Sequence, residues 1–245
     1  IYIDPQYSKS GFIVKYSKKD IKIVEALDFD LLIRGNSSGI LKGEILTSAK
    51  KGVISFHHGD NSWNRGGPPA FWEVYLRRPE TGFILQILNE DLDGGKVLFR
   101  ASIPTRRTYI ENLVSLYTES FPFLKEVVGS YLEDKNDVQI KGYETTPYSG
   151  KIFTTPSVYC LSKYVLKVYF NLSKEFIFRN VFNRQSVWSV SYIDKMWQGC
   201  VLSKGTVIKN PKNRFFADPF VIKKDGKVVC FVEDYSYIEK KGKIT

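Results

Sequence analysis

The chain has 245 residues, of which 43% are apolar and 15% aromatic, so it is large enough to bury a core and is not a disordered tail. Charged residues make up 25%, and the apolar stretches are shorter than the roughly 18 residues of a membrane span, which argues against a transmembrane protein. The net charge of +10 is spread over both halves of the chain, which argues against a nucleic-acid partner, and we expect a cytoplasmic protein.

The cysteines and the chain ends carry little chemical information. The three cysteines are far apart in sequence and match neither a disulfide framework nor a zinc site, so we expect buried thiols at Cys160, Cys200 and Cys230. The sequon-like triplet Asn36-Ser37-Ser38 is short enough to arise by chance. Because the chain starts without Met and stops within a strand-like pattern, we interpret it as a fragment of a longer protein.

Residues 27–57 carry the pattern of a parallel βαβ unit. The apolar runs Leu27–Ile33 and Val53–His57 predict two buried strands. Between them, Lys42–Ala49 has helical spacing of apolar residues and is followed by a basic turn ending at Gly52. Ligands bind beyond the carboxyl ends of such strands, so the loops after Ile33 and Phe56 are expected to face one crevice.

The loop after Phe56 is the chemically richest part of the chain, since it holds the only two histidines. The elements predicted after it are a helix at Ala70–Leu76, a strand at Thr81–Leu88, an acidic turn at Asn89–Gly95 and a strand at Lys96–Phe99. The histidine loop and the acidic turn are therefore expected on strands of one sheet.

The segment Gly52–Phe99 resembles the core of the folate-dependent formyltransferases. The pattern of that family is a strand ending in Asn-x-His, a loop with Arg-Gly and Pro, a helix, a Thr-Gly strand and a Leu-Asp-x-Gly turn. The matching positions here are His57, Arg65-Gly66, Pro69, Thr81-Gly82 and Leu92–Gly95. One position departs from the pattern, because the Asn of the family falls on Ser55.

The resemblance implies a set of roles for these side chains. His57 would be the base that takes the proton of the attacking amine, and Asp93 would orient its imidazole. Ser55 would replace the amide that donates to the oxyanion, with a shorter reach. Arg65 and Gly66 would belong to the loop that closes over the site.

Two further groups next to His57 are candidates for substrate binding. His58 and Asp60 place extra titratable side chains beside the proposed base. The alternative is purely structural: both histidines bond to loop carbonyls, and Asp93 satisfies the amides of its turn. We expect no metal site, because His57 and His58 are adjacent strand residues and point to opposite faces.

The donor implied by the resemblance is 10-formyltetrahydrofolate. Its pocket would be lined by the loop Arg34–Leu41, although those residues alone do not specify a pterin.

The middle of the chain predicts helices around a linker. Residues from Thr108 to Leu132 have helical spacing, with an interruption expected at Pro122, and residues 133–157 have the Gly and Pro content of a linker. Val158–Phe182 mixes large apolar residues with lysines and predicts an amphipathic helix. That helix either lies on a membrane or partner surface or connects two domains.

Short strands follow Trp188, and Asp225-Gly226 predicts a hairpin turn. The segment Arg214–Phe220, together with that turn, resembles the first blade of five-bladed propeller glycosidase-like domains, including the domain of the glucosamine inositolphosphorylceramide transferase family. In the glycosidases the Asp of Ala-Asp-Pro is the general base, which would be Asp218 here. The alternative is that Asp218 caps a turn before Pro219.

The sequence as a whole predicts an α/β fold in three parts. Residues 1–132 would form a partial Rossmann-like parallel sheet of formyltransferase type, 133–187 a linker and amphipathic helix, and 188–245 a mostly β segment that begins a β-propeller. The function implied is formyl transfer to an amine, with an amino sugar or an amine on a glycan as the acceptor. The alternatives are a non-catalytic carbohydrate-binding or scaffold protein, and glycosyl transfer or hydrolysis by the propeller module.

Overall fold

The structure is a computed structural model that describes residues 1–35, 39–133, 148–182, 187–194 and 205–245. The sequon at 36–38, Cys200 and most of the predicted linker lie outside the described residues. The chain divides into two compact units, Ile1–Tyr164 and Val165–Thr245, which are described one at a time.

The first unit is mixed α/β. Its elements are β1 (Gln6–Tyr7), β2 (Ile13–Lys15), α1 (Lys18–Glu25), β3 (Leu32–Arg34), β4 (Ile40–Leu41), a 3-10 helix (Glu44–Thr47), β5 (Val53–His57), β6 (Arg65–Gly66), α2 (Phe71–Tyr75), β7 (Glu80–Ile87), β8 (Lys96–Pro104), α3 (Tyr109–Ser120), α4 (Pro122–Leu132), β9 (Ile152–Phe153) and α5 (Val158–Asn180), which continues into the second unit. No element was predicted before Leu27, so β1, β2 and α1 are elements that the sequence pattern did not indicate.

The central sheet has the strand order β3-β5-β7-β8 and is only partly parallel. β3 pairs with β5 in parallel, as predicted, whereas β7 is antiparallel to both β5 and β8. The predicted parallel sheet is therefore present only in the pairing of β3 with β5. For β7 and β8 the physical reason is the short turn between them, because a connection of so few residues can only join antiparallel strands.

The predicted helix at Lys42–Ala49 is also shorter than expected. Only Glu44–Thr47 is helical, as one 3-10 turn that begins after Gly43 without a side-chain cap. Gly43 has a φ of 86°, a left-handed conformation that interrupts a regular helix. The connection between β3 and β5 therefore contains one turn of 3-10 helix in place of the predicted helix.

Two helices cover the sheet and complete the core. α3 begins with a capping box formed by Thr108 and Glu111, and α4 begins at Pro122, so the predicted interruption there is confirmed. The core is formed by fully buried apolar side chains of the sheet and of α3, among them Ile54, Phe83, Leu85, Leu98 and Leu116. This packing fixes the strand ends that carry the histidines.

The second unit consists of the rest of α5 and of antiparallel strands. These strands are β10 (Ser191–Tyr192), β11 (Thr206–Val207), β12 (Arg214–Lys224), β13 (Lys227–Ser236) and β14 (Lys241–Ile244). β12, β13 and β14 form a three-stranded sheet, and the hairpin predicted at Asp225-Gly226 is confirmed. A propeller blade has four strands, so the described strands do not make up one, and the propeller stays a prediction.

Two further expectations concern single elements. The helix predicted at Val158–Phe182 is present as α5, and it buries none of its side chains. The expectation of buried thiols is wrong for Cys230, which is exposed, while Cys160 is partly buried. Cys230 lies in the first half of β13, where five successive residues are exposed, whereas the second half of the strand carries buried residues.

Candidate active site

The histidine and the aspartate singled out by the sequence are in contact. His57 is the last residue of β5, and Asp93 lies in the turn between β7 and β8, with a left-handed φ of 50°. The imidazole Nδ1 of His57 is 3.3 Å from Oδ1 of Asp93. The other carboxylate oxygen, Oδ2, accepts a hydrogen bond from the backbone N–H of Gly66 at 2.9 Å. Three separate segments of the chain thus meet at this carboxylate.

The second ring nitrogen of His57 is also occupied. Nε2 lies 2.8 Å from the backbone carbonyl oxygen of Asn64. A carbonyl and a carboxylate both accept, so both contacts are satisfied only when both ring nitrogens carry a proton. The geometry therefore favours the imidazolium form of His57.

The electrostatics of the pair agree with that form. Burial works against a charged His57. The hydrogen bond to Asp93, the negative charge of Asp93 and the hydrogen bond to the Asn64 carbonyl outweigh burial, so the pKa of His57 is raised. Burial likewise works against ionised Asp93, but the contacts to His57 and to Gly66 outweigh it and lower the pKa of Asp93. The two side chains form a buried ion pair.

Arg65 ties the histidine loop to the acidic turn. Its guanidinium is buried, donating from Nε to the Asn61 carbonyl at 3.0 Å and from an Nη to the Leu92 carbonyl at 3.3 Å. The side-chain amide of Asn61 donates to the Asp93 carbonyl at 3.0 Å. Arg65 and Gly66 thus brace the turn that carries Asp93, and Asn61 is a member of this brace that the sequence analysis did not identify.

A cavity of about 440 Å³ opens beside the carboxylate. Polar groups of Arg34, Ser55, His58, Gln86 and Asp93 line it. The remaining wall is mostly apolar and includes Phe56, Leu88, Tyr117, Phe121 and Leu124. A cavity with an apolar wall and a few convergent polar groups is the usual form of a small-molecule site.

Ser55 lines this cavity two residues before His57. Its hydroxyl donates to the carbonyl of the adjacent Phe56 at 3.1 Å, and its strand partner is Gln86. Gln86 is buried and accepts the backbone N–H of Gly95 at 3.0 Å, which attaches the acidic turn to β7. No motif in the sequence marked Gln86, because a glutamine inside an apolar strand gives no signal by itself.

His58 also lines the cavity, but in a different environment from His57. Its ring stacks on Phe56 with centroids 4.9 Å apart, lies 4.4 Å from the ring of Tyr117, and its Nε2 is 3.3 Å from the Ser120 hydroxyl. Burial, together with the neighbouring His57, lowers the pKa of His58 to about 4. His58 is therefore a neutral imidazole at neutral pH.

Asp60 makes contacts of its own within the first unit, and Asp218 belongs to the second unit. The Asp60 carboxylate forms an ion pair with Arg100 and accepts the backbone N–H of Ser62 at 3.0 Å, and it is not among the residues that line the cavity. Asp218 is an exposed residue of the second unit with a φ of 46°, at a register shift between β12 and β13. Its predicted role as a general base stays a prediction.

The predicted donor loop contributes to the cavity at its two ends. Arg34, Gly35 and Gly39 line the cavity, and Arg34 donates to the Gly39 carbonyl at 2.6 Å. In the part of the chain that the structure describes, no three His, Cys, Asp or Glu side chains are grouped to hold a metal ion. None of the described helices is both long and apolar enough to cross a membrane.

The pair thus consists of a buried His57, which does not line the cavity, and of Asp93, which does. Comparison with known proteins finds formyltransferases among the similar chains. The chain is 30% identical over 88 residues to methionyl-tRNA formyltransferase from Listeria monocytogenes, which covers 36% of this chain and 28% of the relative. It is 28% identical over 144 residues to the methionyl-tRNA formyltransferase of Pelagibacter ubique, covering 57% and 46%. The formyltransferase resemblance is thus supported by curated relatives.

The chain spans less than half the length of these curated relatives. Among solved structures, a sugar N-formyltransferase from Shewanella sp. has a TM-score of 0.46 and 20% identity, covering 62% of this chain and 64% of that one. A 4-N formyltransferase from Francisella tularensis has a TM-score of 0.46 and 15% identity, covering 60% and 64%. No family model matches the chain.

Proposed function

We propose that this chain carries the reacting centre of a formyltransferase, which moves a formyl group from 10-formyltetrahydrofolate to an amine. The observation that carries the proposal is the contact between His57 and Asp93, whose carboxylate lines the 440 Å³ cavity, although His57 itself is not among the lining residues. It lies in the part of the sequence that resembles formyltransferases. The apolar wall of the cavity and its few polar groups suit a flat heterocycle such as the head of the carrier.

The reaction requires a donor for the oxyanion of a tetrahedral intermediate. The amine nitrogen bonds to the formyl carbon, the bond from that carbon to the carrier nitrogen breaks, the amine loses one proton and the carrier nitrogen gains one. His57 as an imidazolium supplies both a hydrogen bond and a positive charge to the oxyanion, once the oxyanion replaces the Asn64 carbonyl as the acceptor of its Nε2 proton. Asp93 keeps the imidazole charged and oriented.

Ser55 is the second candidate donor. Position 55 is two residues before His57 on the same strand, and alternate strand residues lie on one face. Its hydroxyl bonds to the carbonyl of Phe56, from which it must turn away to reach an oxyanion. An amide at this position, as in the formyltransferase pattern, has a longer reach and a second hydrogen.

The acceptor we propose is an amino sugar or an amine on a glycan. The support is the resemblance of Arg214–Phe220, together with the Asp225-Gly226 turn, to a carbohydrate-related propeller. Methionyl-tRNA is the competing acceptor, because the curated relatives carry that name. The His57 site acts on the amine itself and is compatible with either.

A non-catalytic carbohydrate-binding or scaffold protein is the second candidate, and one specific observation favours it. Both nitrogens of His57 and the hydroxyl of Ser55 are bonded to groups of the protein itself. Such a set of contacts is also what a purely structural site needs.

Formyl transfer from labelled donor distinguishes the two candidates. Full-length protein, His57→Ala and Ser55→Asn are assayed with a panel of amino sugars and with methionyl-tRNA. Loss of the imidazolium is expected to slow transfer about 100- to 1000-fold, the usual effect of removing one oxyanion donor. Ser55→Asn is expected to raise the rate. Equal rates for the wild type and His57→Ala would end the catalytic proposal.

A further inference from the structure

A second buried carboxyl group is linked to His57 through one residue, and one of its oxygens has no hydrogen-bond partner among the described residues. Glu73 of α2 is fully buried, and its Oε1 accepts the side-chain amide of buried Asn64 at 2.6 Å. Oε2 of Glu73 and Oδ1 of Asn64 have no hydrogen-bond partner among the described residues. Burying a carboxyl group with an unsatisfied oxygen costs stability, so this arrangement requires an explanation in its surroundings.

Asn64 connects Glu73 to the candidate active site. Its side chain is held by Glu73, its backbone N–H donates to the Asp60 carbonyl at 2.8 Å, and its own carbonyl accepts the Nε2 proton of His57 at 2.8 Å. The loop is packed tightly here, since a Cβ on Gly59 would lie 2.7 Å from that Nε2. His57 is therefore held by one carboxylate directly and by a second through Asn64.

We propose that Glu73 is a positioning residue for His57: through Asn64 it keeps a carbonyl on Nε2 until an oxyanion takes the place of that carbonyl, and so keeps Nδ1 on Asp93. The inference rests on the proposed function for its chemical purpose, but the positioning itself is measurable without any turnover. It also gives a role to the burial of Glu73, which α2 places in contact with Asn64. A free loop would leave the imidazole able to rotate away from Asp93.

Among the described residues, few charged side chains act on His57 and Glu73. Asp93 and Glu73 act on His57, the adjacent His58 titrates beside it, and His57 and Arg78 act on Glu73. Burial raises the pKa of Glu73, while the contact to Asn64 and the charges of His57 and Arg78 oppose this. Glutamine has the shape of the neutral acid and keeps an oxygen for the Asn64 amide.

The ring nitrogens of His57 report the positioning directly. Because the chain has only two histidines, nitrogen-15 histidine labelling gives two imidazole spin systems, and His58 serves as an internal control. The wild type is titrated beside Glu73→Leu, Glu73→Gln and the matched charge control Glu80→Gln, whose carboxylate accepts from Ser102 instead. Spectra at neutral pH show which ring nitrogens carry a proton.

In Glu73→Leu the titration midpoint of His57 is expected to fall by about one pH unit, the equivalent of one lost hydrogen bond. Glu73→Gln keeps the link to Asn64 and loses only the charge, so its midpoint is expected to fall less than that of Glu73→Leu, and Glu80→Gln is expected to match the wild type. A His57 titration unchanged in folded Glu73→Leu, with His58 also unchanged, overturns the proposal. If Glu73→Leu does not fold, Asn64→Ala removes the same side-chain link and leaves the carbonyl, and a wild-type His57 titration in that variant overturns it equally.

The assay of formyl transfer separates this proposal from the proposed function. Where transfer is measurable, Glu73→Leu is expected to lower kcat roughly 10- to 100-fold with the donor KM unchanged, and Glu73→Gln is expected to restore kcat. A fall in kcat that Glu73→Gln does not reverse contradicts positioning through Asn64. Absence of transfer in the wild type overturns the proposed function, while the His57 titration still decides the role of Glu73.

Discussion

At the scale of single residues, the environment of His57 decides what it can do. Its two acceptors, the Asp93 carboxylate and the Asn64 carbonyl, favour a charged ring. A charged ring donates hydrogen bonds and attracts an oxyanion, whereas a general base must first lose a proton. In the arrangement seen, His57 is therefore suited to stabilise an oxyanion, and the base role implied by the sequence resemblance stays a prediction.

The Asp93–His57 pair predicts a window of pH in which it stabilises the fold. The pKa of His57 is raised above 6.5, so its contribution is complete below pH 6.5 and is lost as the pH rises through the folded value. The pKa of Asp93 is lowered below 3.8, so its contribution is complete above pH 3.8 and is lost as the pH falls through the folded value. Both contributions are present between those two limits.

We therefore expect Asp93→Asn to destabilise the protein most within that window. The expected loss in the free energy of unfolding at pH 5 is about 2 kcal/mol, typical of a hydrogen bond between charged groups. The loss should be smaller once the pH exceeds the folded pKa of His57. Urea unfolding of the wild type and the variant at pH 5 and at higher pH measures this difference. An equal loss at every pH would mean that the pair is not ionic.

Unlike the Asp93–His57 pair, His58 lowers the stability of the fold as the pH falls below 6.5. Its pKa is lowered to about 4 from 6.5, so below pH 6.5 the unfolded chain binds a proton that the folded chain does not. Stability is thus lost as the pH falls towards 4. The ring lies between Phe56 and Tyr117, an apolar position that a phenyl ring can fill.

We expect His58→Phe to make the protein less sensitive to acid. The fall in unfolding free energy between pH 7 and pH 4 should be smaller than in the wild type by about 2–3 kcal/mol, the equivalent of this pKa shift. Denaturant unfolding at pH 7 and pH 4 gives the fall in unfolding free energy for the wild type and for the variant. His57 titrates in both proteins, so its contribution cancels in the comparison. The same loss in both proteins would show that His58 is accessible to protons when folded.

At the scale of secondary-structure elements, a short strand pair supports the site. β6, which consists of Arg65 and Gly66, pairs in parallel with β9, formed by Ile152 and Phe153. The pairing brings together residues far apart in sequence, and β9 lies in a segment that the sequence analysis assigned to a linker. Gly66 also donates its N–H to Asp93, so the strand pair and the candidate active site share one peptide group.

We expect Gly66→Ala to disrupt both the strand pair and the Asp93 contact. Gly66 has a φ of 96°, and a Cβ there would lie 2.1 Å from the carbonyl oxygen of Phe153. The expected destabilisation is about 2–3 kcal/mol, in the range for forced overpacking. Gly67→Ala is the matched control, because a Cβ at Gly67 meets no atom within 4 Å. Thermal or urea unfolding of both variants tests the expectation, and equal stability of the two would contradict it.

At the scale of the whole molecule, the charge is large but not concentrated. The chain has 36 basic and 26 acidic residues, and the basic ones are spread over its length. Such a protein attracts phosphate backbones without recognising a sequence. The charge therefore does not identify tRNA as the acceptor, even though the curated relatives are methionyl-tRNA formyltransferases.

We expect any binding of tRNA to be non-specific and salt-sensitive. Affinity for methionyl-tRNA and for an unrelated RNA of equal length should be similar, and both should fall at least about tenfold between 50 and 200 mM salt, since the binding releases counterions. Fluorescence anisotropy with the two labelled RNAs measures this. A preference for methionyl-tRNA that persists at 200 mM salt would favour it over an amino sugar as the acceptor.

Local sequence signals were sufficient for several features of the fold. Asp225-Gly226 determines its hairpin because a left-handed turn favours those residues, and Pro122 determines a helix boundary because it lacks an N–H. The contact between His57 and Asp93 was predictable only because an ordered series of motifs resembled a known family. Each of these signals depends on neighbouring residues or on a pattern of fixed spacing.

The remaining features depend on contacts between distant segments. The sequence determined by itself the four strands of the central sheet, the helix boundary at Pro122 and the pairing of His57 with Asp93. Only the tertiary structure decided that β7 runs antiparallel to β5, that Asp60 is neutralised by Arg100, and that Glu73 lies behind His57 through Asn64. The physical reason is that strand direction, ion pairing and burial of a carboxyl group are set by packing, which no local pattern encodes.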